Sequence, residues 1–459
     1  MKIAFIGAGS IVFARNLLTD ILAFPALRKD ATICLEDIDE HRLDLMFNLM
    51  SRYKEDYPVE LAGVTFEKTM NQEDAITGAK YVISAIQAGG VDAYKVDVDI
   101  PFKYGVTQCV GDSLGPGGVF RFLRTAPVFK SIVEQIRDVG YNAGQPAGNA
   151  LFLNYTNPMA MNTWYCNAVV PDSTVGLCHG VQGTASELRM WTGATPDEFS
   201  FLCAGINHMA WFLQLWFKDS TKGPVAAWGD AYPIIREHLA DEPEIYKNEK
   251  LRVDMMRATG FYMTESSGHL SEYIPYYRKR EDLVAKYRGE SGFGALEHGE
   301  YYRSCSERAD EFDDRFEVEL TREKLPFKSH PSDEYGSQII NAMETNVPFR
   351  FNGNVMNKGQ GLITNLPRDC CVEVPIFADY HGLHSQGGIE LPTICQALCT
   401  SNIMVQKAAV EGALTLNKEK IYHAVLLDPN TASVCSPEEV RAMVDELFAV
   451  EAQWLPQFG

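Results

Sequence analysis

The stretch KIAFIGAGS, residues 2 to 10, limits the possible folds more than any other in the chain. Lys2 to Ile6 is an apolar run of strand length that breaks at Gly7, and the IVFARNLLTDILA that follows has helical periodicity. A strand, a glycine turn and a helix in this order are the context of a dinucleotide-binding turn. Gly7 permits the tight turn. Gly9 is expected to let the backbone approach a pyrophosphate, and Ser10 lies where a helix N-terminus offers free N–H groups to an anion. Val12 replaces the third glycine of the usual G-x-G-x-x-G pattern, which predicts looser helix–strand packing.

The next apolar run supports this reading. ATICLEDID, residues 31 to 39, ends in acids. An acid there accepts hydrogen bonds from ribose hydroxyls and favours NAD over NADP. Asp37 is the expected residue, with Asp39 behind it; the alternative is that both acids cap the following helix. KYVISAI (80 to 86) and ALFLNYTNP (150 to 158) continue the series, with helical segments between. Alternating strands and helices predict an α/β fold with a Rossmann-like, doubly wound parallel sheet. A chain of 459 residues exceeds one ordinary core, which predicts two domains. They are expected at 1–198, binding the nucleotide, and at 199–459, a larger C-terminal α+β domain.

Composition excludes some partners. A formal net charge of -20 argues against nucleic acid and against an anionic membrane. No apolar run is long enough to span a bilayer, and the N-terminus lacks the pattern of a secretory signal. The 11 scattered cysteines are an odd number and make no disulfide framework, so a cytoplasmic protein with reduced thiols is expected.

Ligands of doubly wound sheets bind at the carboxyl ends of strands. Asn154 and Asn157 fall at one such end, where an amide can hold a ribose or sugar hydroxyl; the alternative is an Asx turn before Pro158. GDSLGPGGVFRFLRT, 111 to 125, carries Asp112 and leads into a helix with Arg121 and Arg124. It reads either as a glycine loop over a ligand or as a surface turn with a solvated helix face. VGLCHG places Cys178 and His179 at another strand end, and AGINHMAWF carries His208. Thiolate and imidazole suit a borderline divalent metal, and two protein ligands leave an open site of catalytic type. The alternative for His208 is a satisfied core histidine. ESSGHLSEYIPYYRKRED, 265 to 282, combines His, aromatics and basic residues as a sugar cleft does, or is an amphipathic helix end. Cys370 and Cys371 read as small core residues of a strand. SPEEVRAMVDELF, 436 to 448, is a helix opened by a capping box of Ser436 and Glu439.

Together the motifs FIGAGS, LEDID, LGPGG, NYTNPMAMNTW, GLCHGVQGT, AGINHMAW, MTESSGHLSEY, NLPRDCCVEVP and YHAVLLDPNTA resemble glycoside hydrolase family 4, its α-galactosidase branch above all. They run through essentially the whole chain. The resemblance implies a fold like that of lactate and malate dehydrogenases, with NAD and a divalent metal, usually manganese, as cofactors. The handling of the glycosidic bond departs from the usual pair of carboxylates. It implies hydride removal at sugar carbon 3, loss of the carbon 2 proton, elimination of the aglycone, water addition and hydride return. By resemblance, Cys178 and His208 are metal ligands and Asn157 contacts substrate. Gly7, Gly9, Ser10 and Asp37 hold NAD, with Asn154 added from its strand-end position. Asp112 tunes the base.

Three departures shape the reading. Where phospho-glucosidases of the family place an acid after the metal-binding Cys, this chain has His179, a candidate general acid. The base falls in 265 to 273, with His269 and Tyr273 as candidates and Glu265 also open. Where phospho-sugar members carry an arginine, this chain has Val96 and Asp97, and an acid there would repel phosphate. An unphosphorylated α-galactoside is therefore expected, handled by a homodimer or homotetramer. The alternatives are an α-galacturonidase or glucuronidase, a phospho-glycosidase of the same family, an NAD-dependent 2-hydroxy-acid dehydrogenase and a non-enzymatic NAD sensor.

Overall fold

The apolar runs line up side by side. The computed structural model describes residues 1–10, 13–143, 150–223, 227–240 and 246–459; Val12, the third-glycine position, lies outside them. Six strands pair in parallel: β1 (Lys2–Ile6), β2 (Ala31–Glu36), β3 (Val64–Thr69), β4 (Tyr81–Ser84), β5 (Leu151–Asn154) and β6 (Thr174–Gly176). Their order is β3-β2-β1-β4-β5-β6, that of a doubly wound dinucleotide fold. Helices cover both faces of such a sheet, so its inner strands read as unbroken apolar runs. Ile3, Phe5, Val82, Ile83, Phe152 and Leu153 are fully buried, each worth about 1.5–3 kcal/mol relative to exposure. The edge strand β3, VTFEKT, escapes the apolar-run criterion because its residues alternate between polar and apolar and stay mostly accessible.

Beyond β6 the sheet changes character but does not end. β7 (Phe199–Ile206), β8 (Met209–Lys218), β9 (Trp228–Asp230), β10 (Phe349–Met356) and β11 (Cys371–Asp379) extend it antiparallel, in the order β6-β10-β11-β7-β8-β9. β12 (Gly382–Ser385) pairs with β11. Strands from both sides of residue 198 thus belong to one sheet.

The seam between the two halves positions the site. Gly176 pairs with Asn354, Asn354 with Glu373, and Glu373 with Gly205, one row across four strands. Gly176 must be small: a Cβ there would fall 2.2 Å from Met159 Sδ and 2.5 Å from Thr163 Oγ1. Cys178 follows β6 directly, and His208 lies in the turn between β7 and β8. The row therefore brings residues distant in sequence to the same edge of the sheet.

The helix Gly115–Val139 overturns the solvated-face reading of the 111–125 segment. Asp112, Arg121 and Arg124 are all buried. Arg124 binds Asp97 through two nitrogens, at 2.9 and 2.6 Å, and also binds Glu451 at the end of the C-terminal helix Pro437–Val450. The C-terminus is thereby anchored on the nucleotide-binding half. Ser436 and Glu439 form the expected capping box, and Val440, Met443, Val444 and Leu447 are buried. Cys370 and Cys371 are buried free thiols, as are Cys395 and Cys399.

Candidate active site

The glycine turn is built as a dinucleotide turn requires. Gly7 has φ of +80°, a left-handed conformation that favours glycine. Asp37 seats its carboxylate against the turn, accepting from the Gly9 N–H at 2.8 Å and the Asp39 N–H at 3.0 Å. The reason for Gly9 differs from the expected one. A Cβ on Gly9 would lie 2.7 Å from Asp37 Oδ2, so this glycine makes room for the acid as well as for any pyrophosphate. Ser10 Oγ accepts the Phe13 N–H at 3.2 Å and so caps the first helix. Asp39 caps the second, accepting from Arg42 N–H at 3.1 Å, which leaves Asp37 as the acid at the turn. Ile38, 88% exposed, stands beside it as an apolar surface. Turn, acid and apolar neighbour fit an adenosine dinucleotide. Replacing Asp37 by alanine is expected to raise the KM for NAD about 5- to 30-fold, the scale of one or two hydrogen bonds to a charged group; steady-state kinetics with NAD varied reads it.

At the other end of the same edge, Cys178, His208 and Glu265 converge. Their ligand atoms all lie within 4.8 Å of one another. Cys178 Sγ is 3.0 Å from Glu265 Oε1, and His208 Nε2 is 3.8 Å from the same oxygen. Thiolate, imidazole and carboxylate are ligands of borderline divalent ions, and these spacings fit atoms arranged about one centre. Gly180 N–H, at the start of the helix Gly180–Thr192, donates to Cys178 Sγ at 3.4 Å, a contact that favours thiolate.

Protonation at the cluster follows from its burial. Burial drives the His208 imidazole down to about 4, so the ring is neutral at pH 7, the form that binds metal. Burial works to raise the Glu265 carboxyl, but His208, His269 and His179 outweigh it and hold it down to about 2. His208 is itself protonated in the range where Glu265 titrates, so the two shifts agree. Burial, then Glu265 and Glu373, push the Cys178 thiol well above its usual range. Metal binding at neutral pH must therefore displace a proton from sulfur.

A second group shares His208. Ligand atoms of Asp112, His208 and His269 also lie within 4.8 Å of one another. Asp112 accepts from Asn157 Nδ2 and from Ser113 Oγ, each at 2.8 Å. Burial acts to raise Asp112, but Arg121, His269, His208 and the Asn157 amide hold it below the ordinary range. His269 has its Nδ1 tied to Ser266 Oγ at 2.9 Å, and its ring stands edge-on to His208 with centroids 4.6 Å apart. His179 is exposed at the rim, 3.6 Å from Glu334 and with its ring 6.4 Å from that of Phe13 on the first helix. That contact ties the metal-side residues to the nucleotide turn.

Four expectations change. Tyr273 is buried behind His208, its hydroxyl 3.4 Å from His208 Nδ1. It stands against that ring on the side away from Glu265, where it would support the ring if His208 held a metal. Asn154 has no exposed surface; its Oδ1 accepts from Thr156 N–H at 2.8 Å and its Nδ2 donates to Thr163 Oγ1 at 3.3 Å. The Asx turn describes it, and direct cofactor contact does not. Asp97 is fully buried in an ion-paired cluster with Arg124 and Glu451, so it presents no surface to a substrate phosphate. The 265–282 segment is no amphipathic helix end: its helix, Ser267–Tyr273, is buried throughout, and the exposed basic residues Lys279 and Arg280 lie beyond it.

Sequence reasoning missed three supports. Glu272 Oε1 and Oε2 accept the Val110 and Gly111 N–H groups at 2.7 and 2.9 Å, fixing the loop that carries Asp112. Glu373, in the seam row, is pushed up to about 8 by burial and by Glu265. Arg121 donates through Nε to the Asn157 carbonyl at 3.2 Å, while its buried Nη1 lacks a protein partner. Each looks like an ordinary surface charge in the sequence.

A dinucleotide turn and a metal-ready triad on one edge of a Rossmann-type sheet define the class: a nucleotide-fold protein with a candidate metal centre beside the nucleotide. The chain belongs to the family 4 glycosyl hydrolases. Residues 2–193 match the model of "Family 4 glycosyl hydrolase", and residues 203–431 that of "Family 4 glycosyl hydrolase C-terminal domain". It is 40% identical to an α-galactosidase of Rhizobium meliloti (strain 1021), over 100% of this chain and 90% of that one. It is 37% identical to an α-galactosidase of Bacillus subtilis (strain 168), over 100% and 99%. A 6-phospho-α-glucosidase from gut microorganisms, solved with NAD and Mn2+, shares the fold with a TM-score of 0.77 at 18% identity, over 99% of this chain and 98% of that one. No helix among the described residues is long and apolar enough to cross a membrane.

Proposed function

We propose that the chain is an NAD- and divalent-metal-dependent α-galactosidase acting on unphosphorylated α-galactosides. The observation that carries this reading is the convergence of Cys178, His208 and Glu265 within 4.8 Å, in a chain 40% identical over its whole length to an α-galactosidase. The preference for an unphosphorylated sugar rests on that identity, since Asp97 is not a cleft residue.

Bound NAD supplies reversible hydride acceptance at sugar carbon 3, and a bound divalent ion such as Mn2+ supplies Lewis-acid stabilisation of negative charge beside it. Gly7, Gly9 and Asp37 seat the nucleotide, with Ser10 starting the helix behind it. Cys178 and His208 hold the ion, with Tyr273 fixing the His208 ring. Asn157 and Asp112 orient the sugar hydroxyls. His269 Nε2, left free by the bond of Nδ1 to Ser266, takes the proton from carbon 2. The Asp112 carboxylate stabilises the imidazolium that results. His179, at the open rim, donates a proton to the departing aglycone oxygen.

The test is a panel of nitrophenyl α-galactoside, α-galacturonide and 6-phospho-α-glucoside with Mn2+ and NAD present. The galactoside is expected to turn over fastest, with NAD needed only in catalytic amount. A preference for either other substrate would contradict the sugar assignment, and steady accumulation of NADH would identify a dehydrogenase instead.

A further inference from the structure

We infer that Glu265 is a third protein ligand of the metal and that Gly180 is glycine so that it can be; the inference rests on the proposed metal site at Cys178 and His208. Oxygen Oε1 of Glu265 lies 3.0 Å from the sulfur and 3.8 Å from His208 Nε2. Ligands bonded to one ion at about 2.0–2.3 Å stand about 3–4 Å apart, so the same oxygen is placed to bond the same ion. The helix start leaves room for it in one way only. A Cβ on Gly180 would fall 1.7 Å from Glu265 Oε1 and 2.5 Å from its carboxyl carbon. The carboxylate thus occupies the volume that any other residue type would fill.

Backbone strain marks the same pair. His208 and Glu265 both lie in the left-handed region, with φ of 61° and 70°, although neither is glycine. Such positions are strained for non-glycine residues and persist where the surroundings hold them for a functional geometry. The Glu265 side chain, only 12% exposed, sits beside a thiol and an imidazole, so three metal-ligating side-chain types converge at one sheltered point.

The consequence concerns the order of binding. An ion held by only two protein ligands leaves most of its shell to water or substrate and is held the more weakly. Three protein ligands with open positions remaining are the arrangement of resident catalytic ions. The ion is therefore bound before the sugar arrives.

The probe is Mn2+ alone, added to the purified protein without sugar, with free ion followed by its paramagnetic resonance signal. Glu265→Gln is expected to weaken Mn2+ binding at least about 10- to 100-fold, the cost of losing even an outer partner of a metal site. Gly180→Ala, which leaves every proposed ligand in the chain, is expected to weaken it in the same direction. NAD affinity, measured by calorimetry, should stay at the wild-type value in both and reports folding. Wild-type Mn2+ affinity in Glu265→Gln would overturn the inference. Cys178→Ser separates the two levels. If it weakens Mn2+ binding and Glu265→Gln does not, only the third ligand falls; if neither does, the proposed metal site falls with it.

Discussion

Replacing Cys178 by serine is expected to lower kcat/KM on an α-galactoside by about 1,000-fold. A serine hydroxyl stays protonated at neutral pH and is a harder, weaker ligand than thiolate. The ion that Cys178 and His208 are proposed to hold acts as a Lewis acid worth several kcal/mol in the transition state, and about 1.4 kcal/mol corresponds to tenfold in rate. Chelation of the wild-type protein should reproduce the loss, and added Mn2+ should reverse it in the wild type at concentrations that leave the variant inactive. NAD binding should be unchanged in both, because the glycine turn and Asp37 lie on other strands. Activity in Cys178→Ser within about tenfold of wild type would remove the thiolate from the mechanism.

The second large effect is expected at Asp112. Asp112→Asn keeps shape and burial but removes the charge that Asn157, Ser113 and Arg121 surround. A proton moved to His269 would then have no anion beside it. General acid–base contributions run at about 100- to 10,000-fold, so kcat is expected to fall by at least about 100-fold, with KM for NAD unchanged. Mn2+ affinity should also hold, since the aspartate belongs to the Asp112–His208–His269 group and not to the Cys178–His208–Glu265 one. A variant that loses Mn2+ binding along with activity would place the metal in the Asp112–His208–His269 group instead.

The residues legible in the sequence are those whose chemistry demands a particular type. The turn at Gly7 to Ser10 and the acid at Asp37 stand out because few other residues can replace them, whereas Cys178 and His208 are joined as ligands only by the family resemblance, their spacing alone leaving His208 open as a core histidine. The burial of charge did not show. Arg121 and Arg124 read as a solvated helix face because residue type carries no record of the partners that other parts of the chain supply, the Asn157 carbonyl for Arg121 and the Asp97 and Glu451 carboxylates for Arg124. Asp97 was misread for the same reason. Glu265 is one of three candidate bases in the sequence; its place beside His208 follows from the bridge of Met263 to Trp211 and the Thr264 N–H bond to the Ala210 carbonyl at 2.9 Å, long-range contacts that the sequence does not record. Tyr273 and His269 share one short helix, yet one backs His208 and the other faces Asp112, a difference of side that spacing alone did not decide. Asn154 reads like its neighbour Asn157, but the first is spent within its own loop while the second reaches across to Asp112.

The central claim is that glycosidic cleavage here proceeds through temporary oxidation of the sugar and loss of its carbon 2 proton. Hydrolysis of an α-galactoside in D2O, with Mn2+ and catalytic NAD, tests it directly. The account predicts deuterium at carbon 2 of the released galactose with no net formation of NADH. Galactose carrying no deuterium at carbon 2 would mean direct displacement at carbon 1, and would contradict it.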